Sequence, residues 1–89
     1  MPTVRQLKKA TALRAEWLRI AEQVTRDNVA WFKDDRACIY FWRAHANARY
    51  NLDRLARNEG DERDGRNDVA WARHYIRLMA KHARIDPNV

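Results

Sequence analysis

Several residue types are scarce or missing in this sequence, and each scarcity argues against a class of protein. Serine does not occur in the 89 residues, and glycine and proline occur only twice each. A fold of many short strands needs more turn residues than this, so a β-rich fold is disfavoured. The sequence also contains no serine nucleophile and no glycine-rich loop of the kind that binds phosphates.

Cysteine and long apolar runs are equally scarce. Cys38 is the single cysteine, so no internal disulfide can form, and we expect a reducing compartment. No stretch reaches the roughly 18 consecutive apolar residues of a transmembrane helix. The first ten residues lack the apolar centre of a signal peptide. The sequence therefore predicts a cytoplasmic protein with no membrane-spanning segment.

Positive charge and a moderate apolar content are what the sequence does have. Hydrophobic residues make up 46% of the chain, and 18 basic against 12 acidic residues leave a net charge of +6. This length and apolar content suit a single domain over residues 1–89. Fourteen of the basic residues are arginine. This excess favours polyanionic partners, although a genome rich in G and C would also enrich arginine.

The stretch with the clearest helical period is residues 34–60, which has two distinct faces. One face is mostly apolar and heptad-like, and it predicts a helix lying between two others. Its members are Cys38, Phe41, His45, Ala48, Leu52 and Leu55. The opposite face combines arginine, asparagine and tyrosine, which is unusual for a face that is merely solvated. Its members are Arg36, Tyr40, Arg43, Asn47, Asn51 and Arg54.

Two further helices complete the prediction. Thr3 and Gln6 have the spacing of a capping box, and the first helix is placed at residues 3–32. In that placement, Trp31 and Phe32 join its apolar face. The break before helix 2 is placed at residues 33–35, with an aspartate as the cap. A competing break lies at residues 25–28.

The third helix follows the one clear polar loop, residues 61–65. Helix 2 is placed at residues 35–59 and helix 3 at residues 68–85, where Asp86 and Pro87 stop it. The sequence thus predicts an all-α fold, a three-helix bundle with long antiparallel helices joined by short turns. By their helical phase, most of the aromatic residues are expected in the core, with Trp42 as the exception. They are Trp17, Trp31, Phe32, Phe41, Trp71 and Tyr75.

Helix 3 carries an arginine stripe and a wide apolar arc. Arg73, Arg77 and Arg84 lie within about 40° of one another around the helix. The apolar arc covers about half the circumference, and Ile39, Trp42 and Ala46 form a second apolar strip on helix 2. This is more apolar surface than three helices easily bury, so we expect a homo-oligomer, most simply a dimer.

Metal binding and catalysis find little support in the spacing of the residues. Cys38, His45 and His82 lie on inward faces, but the close paired spacing of zinc ligands is missing. The acidic residues fall mainly in caps and in the polar loop, away from any apolar wall. We expect no metal, no cofactor and no enzymatic activity.

The leading hypothesis is a small basic binding protein that engages nucleic acid or a nucleoprotein complex through arginine-rich helix faces. The candidate binding residues come from helices 2 and 3. They are Arg36, Tyr40, Arg43, Asn47, Asn51, Arg54, Arg73, Arg77 and Arg84. One alternative is a protein-binding inhibitor or adaptor of the kind that phages and mobile elements encode, such as an anti-CRISPR or other anti-defence factor. Another is a pocket between protomers for a small anionic ligand such as a nucleotide.

Overall fold

A computed structural model describes residues 2–27, 32–57 and 61–87, and these ranges contain three helices. They are α1 (Val4–Asp27), α2 (Asp35–Ala56) and α3 (Glu62–His82). Within these ranges there is no strand. The molecule is elongated, with extents of 40 × 19 × 17 Å. The predicted all-α three-helix bundle is confirmed, and none of the described helices is long and apolar enough to cross a membrane.

The core follows the apolar spacing of the three helices. α2 and α3 share the largest interface, and alanines on both helices allow their backbones to approach closely. The buried apolar residues of α2 and α3 are Phe41, Ala44, Ala48, Leu52, Leu55, Val69, Ala72, Ile76, Met79 and Ala80; those of α1 are Leu13, Trp17, Ile20 and Val24. The predicted apolar seam of helix 2 therefore does lie between the other two helices.

The starts of α1 and α2 are held by the caps that the sequence indicates. The Thr3 backbone N–H donates to Gln6 Oε1 at 3.0 Å, and the Gln6 N–H donates to Thr3 Oγ1 at 3.1 Å. Asp34 caps α2 by accepting the N–H of Ala37 at 2.9 Å. Both predicted caps are confirmed, because each depends on residues only three positions apart.

The predicted extent of the first helix was wrong. α1 ends at Asp27, so the competing break at residues 25–28 marks its end better than residue 32. Phe32 is not helical, yet it packs against the core, with its ring centroid 5.3 Å from that of Phe41. Helical phase alone cannot distinguish a first helix that continues to residue 32 from one that ends at residues 25–28. An aromatic residue can reach the core from outside a helix as well as from within it. The prediction for Trp31 lies outside the described residues.

The start of α3 was also placed wrongly. α3 begins at Glu62, so residues 62–65, which we assigned to a polar loop, form its first turn. Asp61 accepts the N–H of Asp64 at 2.9 Å, and Asp64 Oδ2 accepts the N–H of Asp61 at 3.3 Å. Aspartate and glycine are common both in loops and at helix starts. The composition of this segment therefore suggested a loop where the first turn of α3 lies.

The two remaining helix ends fall earlier than predicted. α2 ends at Ala56 and α3 at His82, rather than at residues 59 and 85. Arg84 adopts a left-handed backbone conformation with φ of 56°. The N–H of Ile85 then donates to the carbonyl of Ala80 at 2.8 Å. This arrangement closes the helix before the proline is reached.

Aromatic residues divide between the core and the surface. Trp17 is buried, as expected, whereas Trp71 is 52% exposed, so its predicted place in the core was wrong. The apolar arc of α3 is wider than the contact of α3 with α2. Trp71 lies at the edge of this arc, outside that contact. The strip of Ile39, Trp42 and Ala46 is exposed along α2.

Candidate nucleic-acid interface

The first part of the α2 arginine face is an open surface. Arg36, Tyr40, Arg43 and Asn47 are all exposed, and their spacing places them in a row along three turns of the helix. In the described part of the chain, neither arginine takes part in an ion pair. Their guanidinium groups are therefore free to meet a ligand.

The second part of that face contacts α3. Asn51 Nδ2 donates to Asp68 Oδ1 at 3.2 Å, and Arg54 Nε lies 3.4 Å from Asp68 Oδ2. The Asp68 side chain is only 7% exposed, so it depends on these two partners for compensation. We expected the whole face to point away from the protein. For Asn51 and Arg54 this is wrong, because both side chains hold α2 against α3.

Aromatic residues of α3 lie next to the exposed part of the α2 arginine face and extend it. The Tyr40 ring lies 5.5 Å from that of His82, and the Trp71 ring is stacked on that of Tyr75 at 5.8 Å. Residues 71, 75 and 82 share one flank of α3 by helical spacing, and this flank carries the contact with Tyr40.

We name this composite surface the aromatic face. It comprises Arg36, Tyr40, Arg43, Asn47, Trp71, Tyr75 and His82. The site prediction omitted Trp71, Tyr75 and His82. The signal that could have identified them was the apolar arc of helix 3, which is wider than one interface requires.

The surroundings of His82 favour the neutral form of its imidazole. Burial lowers the pKa of its imidazole below the ordinary value of 6.5, and the positive charge of Lys81 lowers it further. A neutral imidazole next to a phenol ring is a stacking surface rather than a cation. The positive charge of the aromatic face therefore comes from Arg36 and Arg43.

The predicted arginines of α3 lie elsewhere. Arg73 is half-buried in a groove between α1 and α3, next to Lys9 and Arg66. At about 100° per residue, Arg73 points roughly 160° away from Tyr75 around the helix. Arg77 is exposed on the same stripe as Arg73, and Arg84 follows the end of α3. The structure thus leaves Arg36, Tyr40, Arg43 and Asn47 on one open surface, places Asn51 and Arg54 against α3, and puts Arg73 and Arg77 on another side of α3.

The residues considered for metal binding do not converge. His45 stacks on Trp17 of α1 at 4.4 Å, and the Trp17 indole N–H donates to the carbonyl of His45 at 3.0 Å. His82 instead contacts Tyr40 on the side of α2 that faces α3. Across the described ranges, no three histidine, cysteine or acidic side chains are grouped to hold a metal ion.

A groove of about 480 Å³ opens beside His45. It is lined by Trp42 and His45 of α2 and by Glu22, Thr25 and Arg26 of α1. Burial, and secondarily the charge of Arg49, lowers the pKa of His45 below 6.5. This groove belongs to the α1–α2 side of the bundle, away from the aromatic face.

Comparison of the chain with protein-family models, with curated proteins and with solved structures finds no match in any of the three.

Proposed function

We propose that this protein binds single-stranded nucleic acid through the aromatic face and carries out no chemistry on it. The observation that supports the proposal most directly is the Tyr40–His82 ring contact, with the exposed Arg36 and Arg43 on the turns before and after Tyr40. Unpaired bases stack on aromatic rings, whereas bases within a duplex do not offer their faces. Arginine forks fit the phosphates between such bases.

The dimensions of the face suit a short stretch of strand. Arg36 and Arg43 are seven residues apart, which is about 10 Å along a helix axis. At about 3.4 Å per nucleotide of stacked strand, this distance covers roughly three nucleotides. Asn47 follows one turn later and offers an amide that can bond to a base edge. The same row therefore combines charge, stacking surface and polar donors.

The test is binding of a dye-labelled single strand of about 12 nucleotides, followed by fluorescence anisotropy at several salt concentrations. Replacing Arg36 and Arg43 by glutamate should weaken binding strongly and make the dependence of log affinity on log salt shallower by about one unit per lost phosphate contact. Replacing Trp71 by alanine should weaken binding with little change in that slope, because stacking releases no counterions.

The matched control is the pair Lys8→Glu and Arg63→Glu, which changes the charge equally at exposed positions on α1 and α3. Circular dichroism and thermal melting should show that every variant remains folded. If the Arg36/Arg43 variant binds the strand as tightly as the parent, the proposal is wrong.

A second candidate function is binding of a protein, as an inhibitor or adaptor. The observation that favours it is the exposed strip on α2, where Ile39 is 52% and Trp42 is 42% exposed. Exposed tryptophan next to aliphatic residues is typical of protein contact sites. Under this alternative, replacing Trp42 by alanine abolishes capture of a purified partner after nuclease treatment, and the Arg36/Arg43 variant retains it.

A further inference from the structure

The groove between the N-terminal halves of α1 and α3 carries positive charge on both walls. It consists of two adjoining depressions of about 200 and 310 Å³, which share Gln6, Lys9 and Arg66 as lining residues. Arg5 lines one of these depressions, and Arg73 lines the other. Four basic side chains and one carboxylate, that of Glu62, therefore line one continuous groove.

This positive charge has little internal compensation. Within the described residues, Arg5, Lys9 and Arg73 belong to no ion pair. Arg66 has Glu62 at 3.9 Å, but both side chains are more than 60% exposed, so their attraction is strongly screened by water. By contrast, Arg14 and Arg54 pair with carboxylates of a neighbouring helix.

The two walls are held at a fixed separation. Gln6 is buried between them, and its Nε2 donates to the carbonyl of Glu62 at 2.9 Å. The same side chain completes the cap of α1 through Thr3. Because α1 and α3 run parallel and start at the same end, the positive ends of both helix dipoles also lie near this groove. The basic side chains therefore project from a rigid base, which reduces the entropic cost of binding.

The lining chemistry selects phosphate rather than bases. Aromatic residues are absent among the described residues that line the groove, so nothing in it offers a stacking surface. Guanidinium and ammonium groups on facing walls bind an extended series of phosphates well.

We propose that this groove binds the sugar–phosphate backbone of a second nucleic-acid segment, so that the protein bridges two segments. The identity of this ligand rests on the proposed function, whereas the phosphate affinity of the groove does not. A strand on the aromatic face leaves the groove open, because the two surfaces lie on opposite flanks of α3. One molecule then contacts one segment through bases and the other through backbone alone.

The first experiment measures phosphate affinity with inorganic tripolyphosphate as the probe, by isothermal titration calorimetry and thermal shift. The groove variant is Lys9→Glu with Arg73→Glu, and the matched variant with equal charge change is Lys8→Glu with Arg63→Glu, at exposed positions that do not line the groove. The groove variant should lose about tenfold or more in affinity, and the matched variant much less, since only the former removes charge from both walls. Equal losses in the two variants, or none in the groove variant, would overturn the groove site.

The second experiment tests bridging with two single strands that carry a donor and an acceptor dye. The parent protein should bring the strands together and produce energy transfer, and the groove variant should abolish the transfer while still binding one strand through the aromatic face. A parent protein that binds one strand without energy transfer contradicts bridging and leaves the proposed function intact. If tripolyphosphate binds the groove but the parent binds no strand at all, the proposed function fails and the nucleic-acid part of this inference fails with it.

Discussion

Gln6 occupies the space above Gly65 that a side chain would need. A Cβ at residue 65 would lie 2.5 Å from Gln6 Oε1 and 3.0 Å from its Cδ. The Gln6 side chain cannot simply move away, because Oε1 accepts the Thr3 N–H and Nε2 donates to the Glu62 carbonyl. Gly65 therefore allows α1 and α3 to start close together.

This contact predicts that Gly65→Ala lowers the unfolding free energy when residue 6 is glutamine and raises it when residue 6 is alanine. In the parent, the substitution breaks hydrogen bonds worth about 1 kcal/mol each and gains about 0.5–1 kcal/mol in helix propensity. We expect a net loss of about 1 kcal/mol in unfolding free energy. In a Gln6→Ala background, Gly65→Ala should instead stabilise by about 0.5–1 kcal/mol. Urea unfolding of the four proteins measures both effects, and equal effects in the two backgrounds would contradict the contact.

Arg84 supplies a second prediction about backbone conformation. Its φ of 56° costs a residue with a Cβ about 1 kcal/mol, a cost that glycine does not have. Arg84→Gly should therefore raise the unfolding free energy by up to about 1 kcal/mol. Lys81→Gly is the control, because it lies in the last turn of α3 and should destabilise by about the same amount. If Arg84→Gly also destabilises, the left-handed conformation does not close α3.

The two half-buried histidines, His45 and His82, predict a loss of stability in mild acid. The pKa values of His45 and His82 are lowered in the folded state, mainly by burial. Between the folded value and 6.5, the unfolded chain binds more protons, so unfolding becomes easier as the pH falls. The stability from these groups is complete above pH 6.5 and is lost as the pH falls through their folded pKa values.

Asp53 should cause a second decrease in the unfolding free energy at lower pH. The hydrogen bond from Arg14 lowers the pKa of this carboxyl below 3.8, so its contribution is present above that pH and lost as the pH falls further. Unfolding free energies measured from pH 7.5 to pH 3 should decline in both phases. His45→Gln should flatten the first phase. A constant free energy between pH 7.5 and pH 5 would contradict the burial of these rings.

Self-association through the exposed strip on α2 is the fourth prediction. Ile39, Trp42 and Ala46 lie side by side on α2, and two copies could bury them against each other. We expect a dimer mass by light scattering across the micromolar range, reduced to a monomer by Trp42→Glu. Leu18→Glu, at a 44% exposed leucine of α1, is the control and should retain the dimer. A parent protein of monomer mass at every concentration would rule out this interface.

The sequence alone determined the features that depend on neighbours a few residues apart. The capping box of Thr3 and Gln6, the aspartate cap of α2 and the apolar seam of helix 2 all follow from spacing within one helix. The all-α class followed from the same periodicity and from the scarcity of glycine and proline. The exposure of Arg36 and Arg43 could also be predicted, because their phase alone directs them away from the seam.

Only the tertiary structure decided which flank of each helix is covered and which residues of different helices meet. Helical phase gives the direction of a side chain but not the neighbour in that direction. Asn51 and Arg54 share a helix face with Arg36, yet in the tertiary structure both contact Asp68 of α3. The meeting of Lys9 with Arg66, and of Gln6 with Gly65, depends on the parallel register of α1 and α3. That register is set by the packing of all three helices together, because contacts more than fifty residues apart leave no periodic signal in the chain.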